Sequence, residues 1–414
     1  MRLLVYGLNY APELTGIGKY TAEMAENLAS LGHEVRVASA PPYYPEWRIY
    51  PGYVSFTYKR EQRSCSAPSV YRCPLWVPQR PSGFKRLLHL ASFALSSFPV
   101  ALRQAFWRPD IIIVIAPALF CAPGAWLVAR LCGAKAWLHI QDFEIDAAFS
   151  LGILRSSLLR RAITLFEGFI MRRFDRVSTI SANMLQQLAE KGVAGDRRLL
   201  FPNWVDTAKI HPLSTISPFR ARLGFTDETI VVLYSGNMGE KQGLDILLDA
   251  AAQLAKLTHI HFLMCGDGAV RARLAQQYAH LGNITWLDLQ PLEALNDLLN
   301  AADIHALPQR ADAADLVMPS KLTGMMASGR PTVAAAAAGT EIANAVEGAG
   351  ILVPPGDATA FASALKALAG DSALRARLGA TARMRAVETM GMNAILARFE
   401  RDLSVCTGTR SDRQ

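Results

Sequence analysis

Short runs of aliphatic and β-branched residues recur along the chain. Each is followed by a polar or glycine-containing break, and then by apolar positions at helical spacing. In the first half, residues 3–6, 34–39, 110–115, 135–140 and 175–180 read as strands. Residues 3–6 and 111–115 are continuously apolar, as strands covered on both faces are. Residues 19–31 read as a helix stopped by Gly32, and residues 84–103, 154–174 and 181–191 as further helices. In the second of these, Phe84, Leu87, Leu88, Ala91, Leu95, Phe98 and Leu102 carry the helical period. The Pro-, Tyr- and Trp-rich stretch 41–81 predicts a hairpin or irregular loops at 53–60 and 70–75. In the second half, strands are predicted at 230–234, 259–265, 283–287, 303–307 and 332–336, with helices between them and at 358–369 and 372–387.

Such alternation implies parallel sheets with helices on both faces. The fold class read from the pattern is α/β, with two doubly wound, Rossmann-like domains facing across a cleft. A chain of 414 residues is long for one core. We place the first domain at 1–210 and the second at 211–390, with a last helix within 391–414 crossing back to the first. Residues 111–129 form a run of 19 without a charge, long enough to span a bilayer. Pro117, Pro123 and Gly124 interrupt it, so strand, loop and helix is the preferred reading.

Charge separates the halves. Residues 1–210 hold 25 Lys/Arg and 15 Asp/Glu, a net of +10, whereas residues 211–414 hold 18 and 20, a net of −2. A basic half suits an anionic membrane, a phosphorylated substrate or nucleic acid. Nucleic acid is disfavoured, because no aromatic–basic stripe or binding motif is present. The helices at 84–103 and 154–174 are apolar with basic residues nearby, which suits a peripheral position on an anionic membrane. Packing of the same helices on the sheet is the alternative. The six cysteines form no C-x-x-C pair and read as reduced thiols of a cytoplasmic protein. No metal-ligand spacing is present.

Two glycine loops follow predicted first strands. NYAPELTGIG, residues 9–18, carries Gly16 and Gly18; SGNMGEKQG, residues 235–243, carries Gly236, Gly239 and Gly243. Such loops can aim backbone N–H groups and a helix N-terminus at a phosphate. The second loop is neither a P-loop nor a G-x-G-x-x-G fingerprint, and an ordinary βα turn is its other reading.

With these pieces in order, the chain resembles the retaining GT-B glycosyltransferases of the family-4 type. The resemblance rests on YAPELTGIGKYTAEMAENLASLGHEV, VSTISANMLQQLAEKGV, FPNWVD, YSGNMGEKQG, MCGDG, PSKLTGMMASGRPTV and GTEIANAVEGAGILVPPGD. It is strongest to the colanic acid biosynthesis fucosyltransferase-like group, through HEVRVASAPPYYPEW, LHIQDFEIDA and MPSKLT. The resemblance implies a nucleotide-sugar co-substrate, with GDP-fucose as the candidate, held mainly by the second domain. It implies no other cofactor and no metal. The implied acceptor is a saccharide on polyprenyl diphosphate.

Carried over by residue, Gly16 and Gly18 lie near the diphosphate. Gly236, Asn237 and Gln242 line the donor loop, with Lys241 as its catalytic cation. Gly266, Asp267 and Gly268 lie near the base, with Asp288 and Gln290 on the next wall. Ser320 and Lys321 are assigned to the donor; a helix cap and a surface lysine are their other readings. Asp142 and His139 are the catalytic candidates of the first domain, to orient or deprotonate the acceptor hydroxyl. A helix cap for Asp142 and a core histidine for His139 stay open. Glu13, Glu144 and Asp146 are acceptor-side candidates. Two departures from the family pattern stand out. Asn237 replaces its arginine, and its E-x7-E pair falls on Leu316 and Gly324. Two rival readings stand, a nucleotide-sugar isomerase of the same fold and a non-catalytic nucleotide-sugar or lipid-binding subunit, the second favoured by the missing pair.

Overall fold

The computed structural model describes residues 1–13, 16–62, 64, 66–79, 83–116, 119–143, 157–310 and 320–408. The chain divides into Met1–Pro202 with Leu396–Gln414, and Asn203–Ile395.

The first unit contains β1 (Arg2–Gly7), α1 (Gly16–Ser30), β2 (Glu34–Ser39), β3 (Lys59–Glu61), β4 (Ser69–Arg72), α2 (Gly83–Gln104), β5 (Ile111–Ala116), α3 (Ala122–Cys132), β6 (Lys135–Ile140), α4 (Ser157–Met171), β7 (Arg176–Thr179), α5 (Ala182–Glu190) and β8 (Arg198–Leu200). The strand order is β3-β4-β2-β1-β5-β6-β7-β8. The strands pair in parallel except β3, which runs antiparallel to β4. The hairpin expected in 41–81 is thus β3–β4, shorter than the segments that predicted it. The uncharged run 111–129 resolves into β5 and α3, with Pro123 in the first turn of the helix, where a missing N–H costs nothing. No helix among the described residues is long and apolar enough to cross a membrane.

The second unit contains α6 (Pro218–Arg222), β9 (Ile230–Ser235), α7 (Leu244–Gln253), β10 (Ile260–Cys265), α8 (Arg271–Gln277), β11 (Ile284–Leu287), α9 (Leu295–Ala301), β12 (Ile304–Leu307), α10 (Ser320–Ala327), β13 (Thr332–Ala335), α11 (Glu341–Val346), β14 (Gly350–Val353), α12 (Ala358–Gly370) and α13 (Ser372–Thr389). The strand order is β11-β10-β9-β12-β13-β14, with the pairs all parallel. In β9, an inner strand of this sheet, Ile230, Val232 and Tyr234 enter one core, with Leu244, Leu247, Phe361 and Leu365. Val231 and Leu233 enter the other, with Leu298, Leu322, Met325 and Ile342. A strand read as uniformly apolar is therefore one whose alternate residues fill two cores.

The units divide at Pro202 rather than at 210, because Val205 and Ile210 are buried in the second unit's core. Strands β8 and β14 escape the sequence reading. They are only three and four residues long and partly exposed. The last helix, α14 (Met392–Thr407), belongs to the first unit from Leu396 onward. There Phe399 stacks on Phe201 with ring centroids 4.0 Å apart and meets Trp137 edge-on at 5.2 Å. Phe399 is almost wholly buried. Phe399→Ala should cost about 3–5 kcal/mol, the scale of a core aromatic truncation. Urea unfolding of the two proteins measures it, and a cost below about 1 kcal/mol would show that the terminal helix does not help hold the first unit's core.

Candidate active site

In each sheet, the chain leaves the first strand and later returns to its other side. The reversal lies between β1 and β5 in the first unit and between β9 and β12 in the second. Ligands of open α/β sheets bind beyond the carboxyl ends of the strands at such points, where the flanking loops diverge and leave a crevice.

At the second of these points, the loops after β9 and β10 are joined backbone to backbone. Gly236 N donates to Cys265 O at 3.0 Å, Met238 N to Asp267 O at 2.8 Å, and Val270 N to Met238 O at 3.1 Å. This closeness requires glycine. A Cβ on Gly266 would overlap the Gly236 carbonyl, and one on Gly268 the Met238 carbonyl; both glycines also have positive φ, 141° and 154°. Asp267 Oδ1 accepts from Gly268 N at 2.8 Å, so its carboxylate shapes its own loop. Gln242 Oε1 accepts from Gly239 N at 3.1 Å and closes the turn before α7. Gly243, with φ of 60°, packs against the backbone of Gln309 and Arg310 beyond β12. No side chain among the described residues caps the N-terminus of α7 at Gly243. Its leading N–H groups and the positive end of its dipole thus lie at the β9/β12 reversal.

Lys321, the second residue of α10, reaches this point. Its Nζ donates to Tyr234 Oη at 3.1 Å and lies 4.3 Å from the Tyr234 ring centroid. Tyr234 Oη donates onward to Asn237 O at 2.5 Å. Burial pushes the Lys321 ammonium down to about 7 and the Tyr234 phenol up. Ser320 is exposed beside it, and so is Asn237. Lys241 lies in the turn Glu240–Gln242, and its side chain lies outside the described residues. Asp288 pairs with Arg271 at 2.6 Å, and Gln290 Nε2 donates to Asp288 O at 2.8 Å. The structure therefore brings Gly236, Asn237, Gln242, Gly266, Asp267, Gly268 and Lys321 onto one end of one sheet. The reading from sequence missed Tyr234, which it took for the last residue of a buried strand. The signal was available: a tyrosine ending an aliphatic run needs a partner for its hydroxyl.

In the first unit, Glu13, Gly16 and Gly18 come together after β1, and Glu13 is corrected from an acceptor-side group to a clamp. It is 3% exposed. Its Oε1 accepts from Tyr43 N and Tyr44 N at 2.9 and 3.0 Å, and its Oε2 from Asn9 Nδ2 at 2.9 Å. A Cβ on Gly18 would lie 2.6 Å from that Oε2, so Gly18 makes room for the carboxylate. Gly16 opens α1 with φ of 60°. Arg72 backs the loop through Ala11 O, Ala40 O and Glu61. Burial raises the Glu13 carboxyl above its usual range against the pull of these donors.

His139 is corrected too. It is buried, bonds Ser178 Oγ through Nδ1 at 3.0 Å, and packs on Phe201 at 4.9 Å. Burial pushes its imidazole down to about 3, so it is a neutral core residue. Asp142 is exposed just past the carboxyl end of β6. Glu144, Asp146 and Leu316 lie outside the described residues. Gly324 lies within α10.

Comparison with known proteins agrees with this architecture. Residues 15–204 match the model of the glycosyl transferase 4-like domain, and residues 229–371 that of the glycosyl transferases group 1. The chain is 42% identical over 413 residues to the putative colanic acid biosynthesis glycosyl transferase WcaI of Escherichia coli K12, covering 97% of this chain and 100% of that one. It is 30% identical over 262 residues to a D-inositol 3-phosphate glycosyltransferase of Geodermatophilus obscurus, covering 58% of this chain and 57% of that one. Among solved structures, sucrose-phosphate synthase from Thermosynechococcus elongatus superposes with a TM-score of 0.78 at 18% identity, covering 99% and 100% of the two chains. Anabaena HepE in complex with UDP-glucose superposes with a TM-score of 0.69 at 17% identity, covering 98% and 100%. The chain belongs to the GT-B glycosyltransferases, with a group 4-like amino-terminal part and a group 1 carboxyl-terminal part.

Removing the Glu13 carboxylate leaves two buried donors and one half-buried donor unpaired. Glu13→Ala should cost about 2–4 kcal/mol, on the scale of buried unsatisfied groups. Glu13→Gln should cost less, since the Asn9 amide can turn to present its oxygen. Denaturant unfolding of both variants checks the order. Equal losses would mean that the carboxylate's charge matters, not the shape and the single acceptor that Gln keeps.

Proposed function

We propose that the protein transfers a sugar, with retention at the anomeric carbon, from a nucleotide-sugar to a lipid-linked exopolysaccharide precursor of the colanic-acid type. GDP-fucose is the donor we carry forward. The observation that carries the reading is the 42% identity along the whole length of a colanic acid biosynthesis glycosyl transferase. The donor half is supported by the glycine loops at the β9/β12 reversal, where N–H groups and a helix N-terminus converge. The leaving diphosphate gains negative charge as the glycosidic bond breaks. Preformed N–H donors, with Lys241 as the cation, would meet that charge and lower the barrier. Asp142, exposed beyond β6, would orient the acceptor hydroxyl, and the departing phosphate would take its proton on the same face of the sugar. That geometry gives retention.

A lipid-linked acceptor calls for a place at the membrane, and we assign the protein to its cytoplasmic face as a peripheral protein. Support comes from the outward side of α2. Phe84, Leu88, Leu95 and Leu102 are exposed at spacings that put them on one face, and Phe106 follows just past the helix at 90% exposure. Helix α2 holds Lys85, Arg86 and Arg103 and no Asp or Glu. Apolar side chains with flanking cations fit an anionic interface.

Two experiments test these readings. Purified protein incubated with GDP-fucose and a polyprenyl-diphosphate-linked saccharide should yield a product whose new linkage keeps the donor's anomeric configuration by NMR. Turnover with UDP-sugars alone would change the donor, an inverted linkage would overturn retention, and sugar rearrangement without acceptor would favour an isomerase. Separately, sedimentation with vesicles containing phosphatidylglycerol should pull down the protein, and Leu95→Glu with Leu102→Glu should weaken this about tenfold or more, at the lower end of side-chain burial energies. Undiminished sedimentation would move the membrane contact off α2.

A further inference from the structure

In the first unit, the segments that leave β2 and β4 emerge beside the glycine loop of β1, since β4, β2 and β1 are parallel neighbours. Their aromatic side chains form a row. Tyr44 begins it, with its Cε1 3.8 Å from where a Cβ on Gly16 would be. Next comes Tyr43, whose ring meets His89 of α2 at 4.8 Å and Trp47 at 5.6 Å. Trp47 also packs on His89, at 5.2 Å. His89 Nδ1 donates to the Trp76 carbonyl at 2.6 Å, and Trp76 ends the row.

The backbone of the row is fixed, while its outer rings stay open. Glu13 takes the N–H groups of Tyr43 and Tyr44. Tyr50 Oη donates to Tyr44 O at 2.7 Å, and Arg48 N and Tyr50 N donate to Tyr43 O and Pro42 O at 3.2 and 3.0 Å. Trp76 N donates to Ser92 Oγ at 3.1 Å. Trp47 has a left-handed φ of 53°, which a bulky residue adopts only where its surroundings enforce it. Yet Tyr44 and Trp76 are 39% and 37% exposed, and Trp47 is half-buried. Among the described residues, no hydrogen-bond partner meets Tyr44 Oη, Trp47 Nε1 or Trp76 Nε1.

These three side chains present flat apolar faces with polar tips. The ligand that matches them is built the same way, with a C–H face to lie on a ring and hydroxyls at its edge to meet the tips. A sugar ring has that form. A lipid tail would cover the faces and leave the tips unpaired; it suits the outward side of α2, where Phe84, Leu88 and Leu95 carry no polar tip. We propose that Tyr44, Trp47 and Trp76 are the subsite for the acceptor's saccharide. Tyr44 stacks on the sugar nearest the glycine loop of β1, and Trp76 on a sugar farther along. The assignment rests on the glycosyl-transfer reading above and names the side chains that recognise its acceptor. The row runs from Gly16 to α2, the helix whose outward side we assign to the membrane, and a saccharide carried on a lipid has to bridge those two places.

The test follows transfer from the nucleotide-sugar that the wild type uses, GDP-fucose first, to the saccharide on a short, water-soluble prenyl diphosphate, so that membrane binding does not enter. Tyr44→Ala and Tyr44→Leu should each raise the acceptor KM about tenfold or more, the scale of one aromatic contact. Tyr44→Phe keeps the ring and should stay close to wild type. Trp76→Ala should raise the acceptor KM several-fold. The donor KM, and sedimentation with phosphatidylglycerol vesicles, should not change in these variants. An acceptor KM unmoved by Tyr44→Ala, or one that Tyr44→Leu preserves as well as Tyr44→Phe does, would overturn the assignment and leave glycosyl transfer standing. A rise in the donor KM in place of the acceptor KM would give Tyr44 to the donor, and a loss of vesicle binding with the acceptor KM unmoved would make the row a membrane contact; either result overturns the assignment. A folded wild-type protein that transfers from neither GDP-fucose nor UDP-sugars to this acceptor would overturn the transfer reading and the subsite with it.

Discussion

The second unit's site depends on two backbones meeting without side chains between them. Gly266 and Gly268 leave no room for a Cβ against the carbonyls of Gly236 and Met238, and the gap they close is bridged by hydrogen bonds between the two loops. Sheet pairing of β9 with β10 therefore continues past the strand ends into the loops. This holds the turn that leads into α7 in one shape, and with it the direction of the helix N-terminus. A side chain at either glycine would part the loops and re-aim the N–H groups at the chain reversal.

Charge is treated differently in the two units. In the first, the polar groups after β1 are closed in on themselves. Glu13 is enclosed by three N–H donors, and Arg72 binds carbonyls and Glu61. That closed network is a scaffold for the loop. In the second, Lys321 is desolvated beside a neutral tyrosine, and the helix start at Gly243 carries no side-chain cap among the described residues. Satisfied polar groups stabilise a fold, whereas groups left for a ligand cost stability until it arrives. By this criterion Glu13 and His139 belong to the architecture, although both looked like site candidates in the sequence.

The surface of the first unit adds a second asymmetry. Its long helix α2 buries His89, Leu90, Phe93 and Ala101 on the sheet side and leaves Phe84, Leu88, Leu95 and Leu102 outside. The helix is therefore apolar on its outward side as well as on its buried one. The excess of basic residues also falls in residues 1–210.

Much of this was legible in the sequence. Apolar runs, glycine stops and helical spacing locate most strands and helices to within a few residues, because burial on both faces of a parallel sheet favours apolar residues along most of a strand. The two glycine loops were legible for the same local reason, since a tight turn with positive φ selects glycine. The motifs in order also pointed to the family. What local pattern could not supply was the strand order, which comes from pairing between segments far apart in the chain and which alone places the chain reversals. Nor could it tell a histidine whose partner is Ser178 from one that faces solvent, or a lysine on a helix surface from one laid across Tyr234, 87 positions away. Side-chain environment is set by packing between distant elements, and only the tertiary structure decides it.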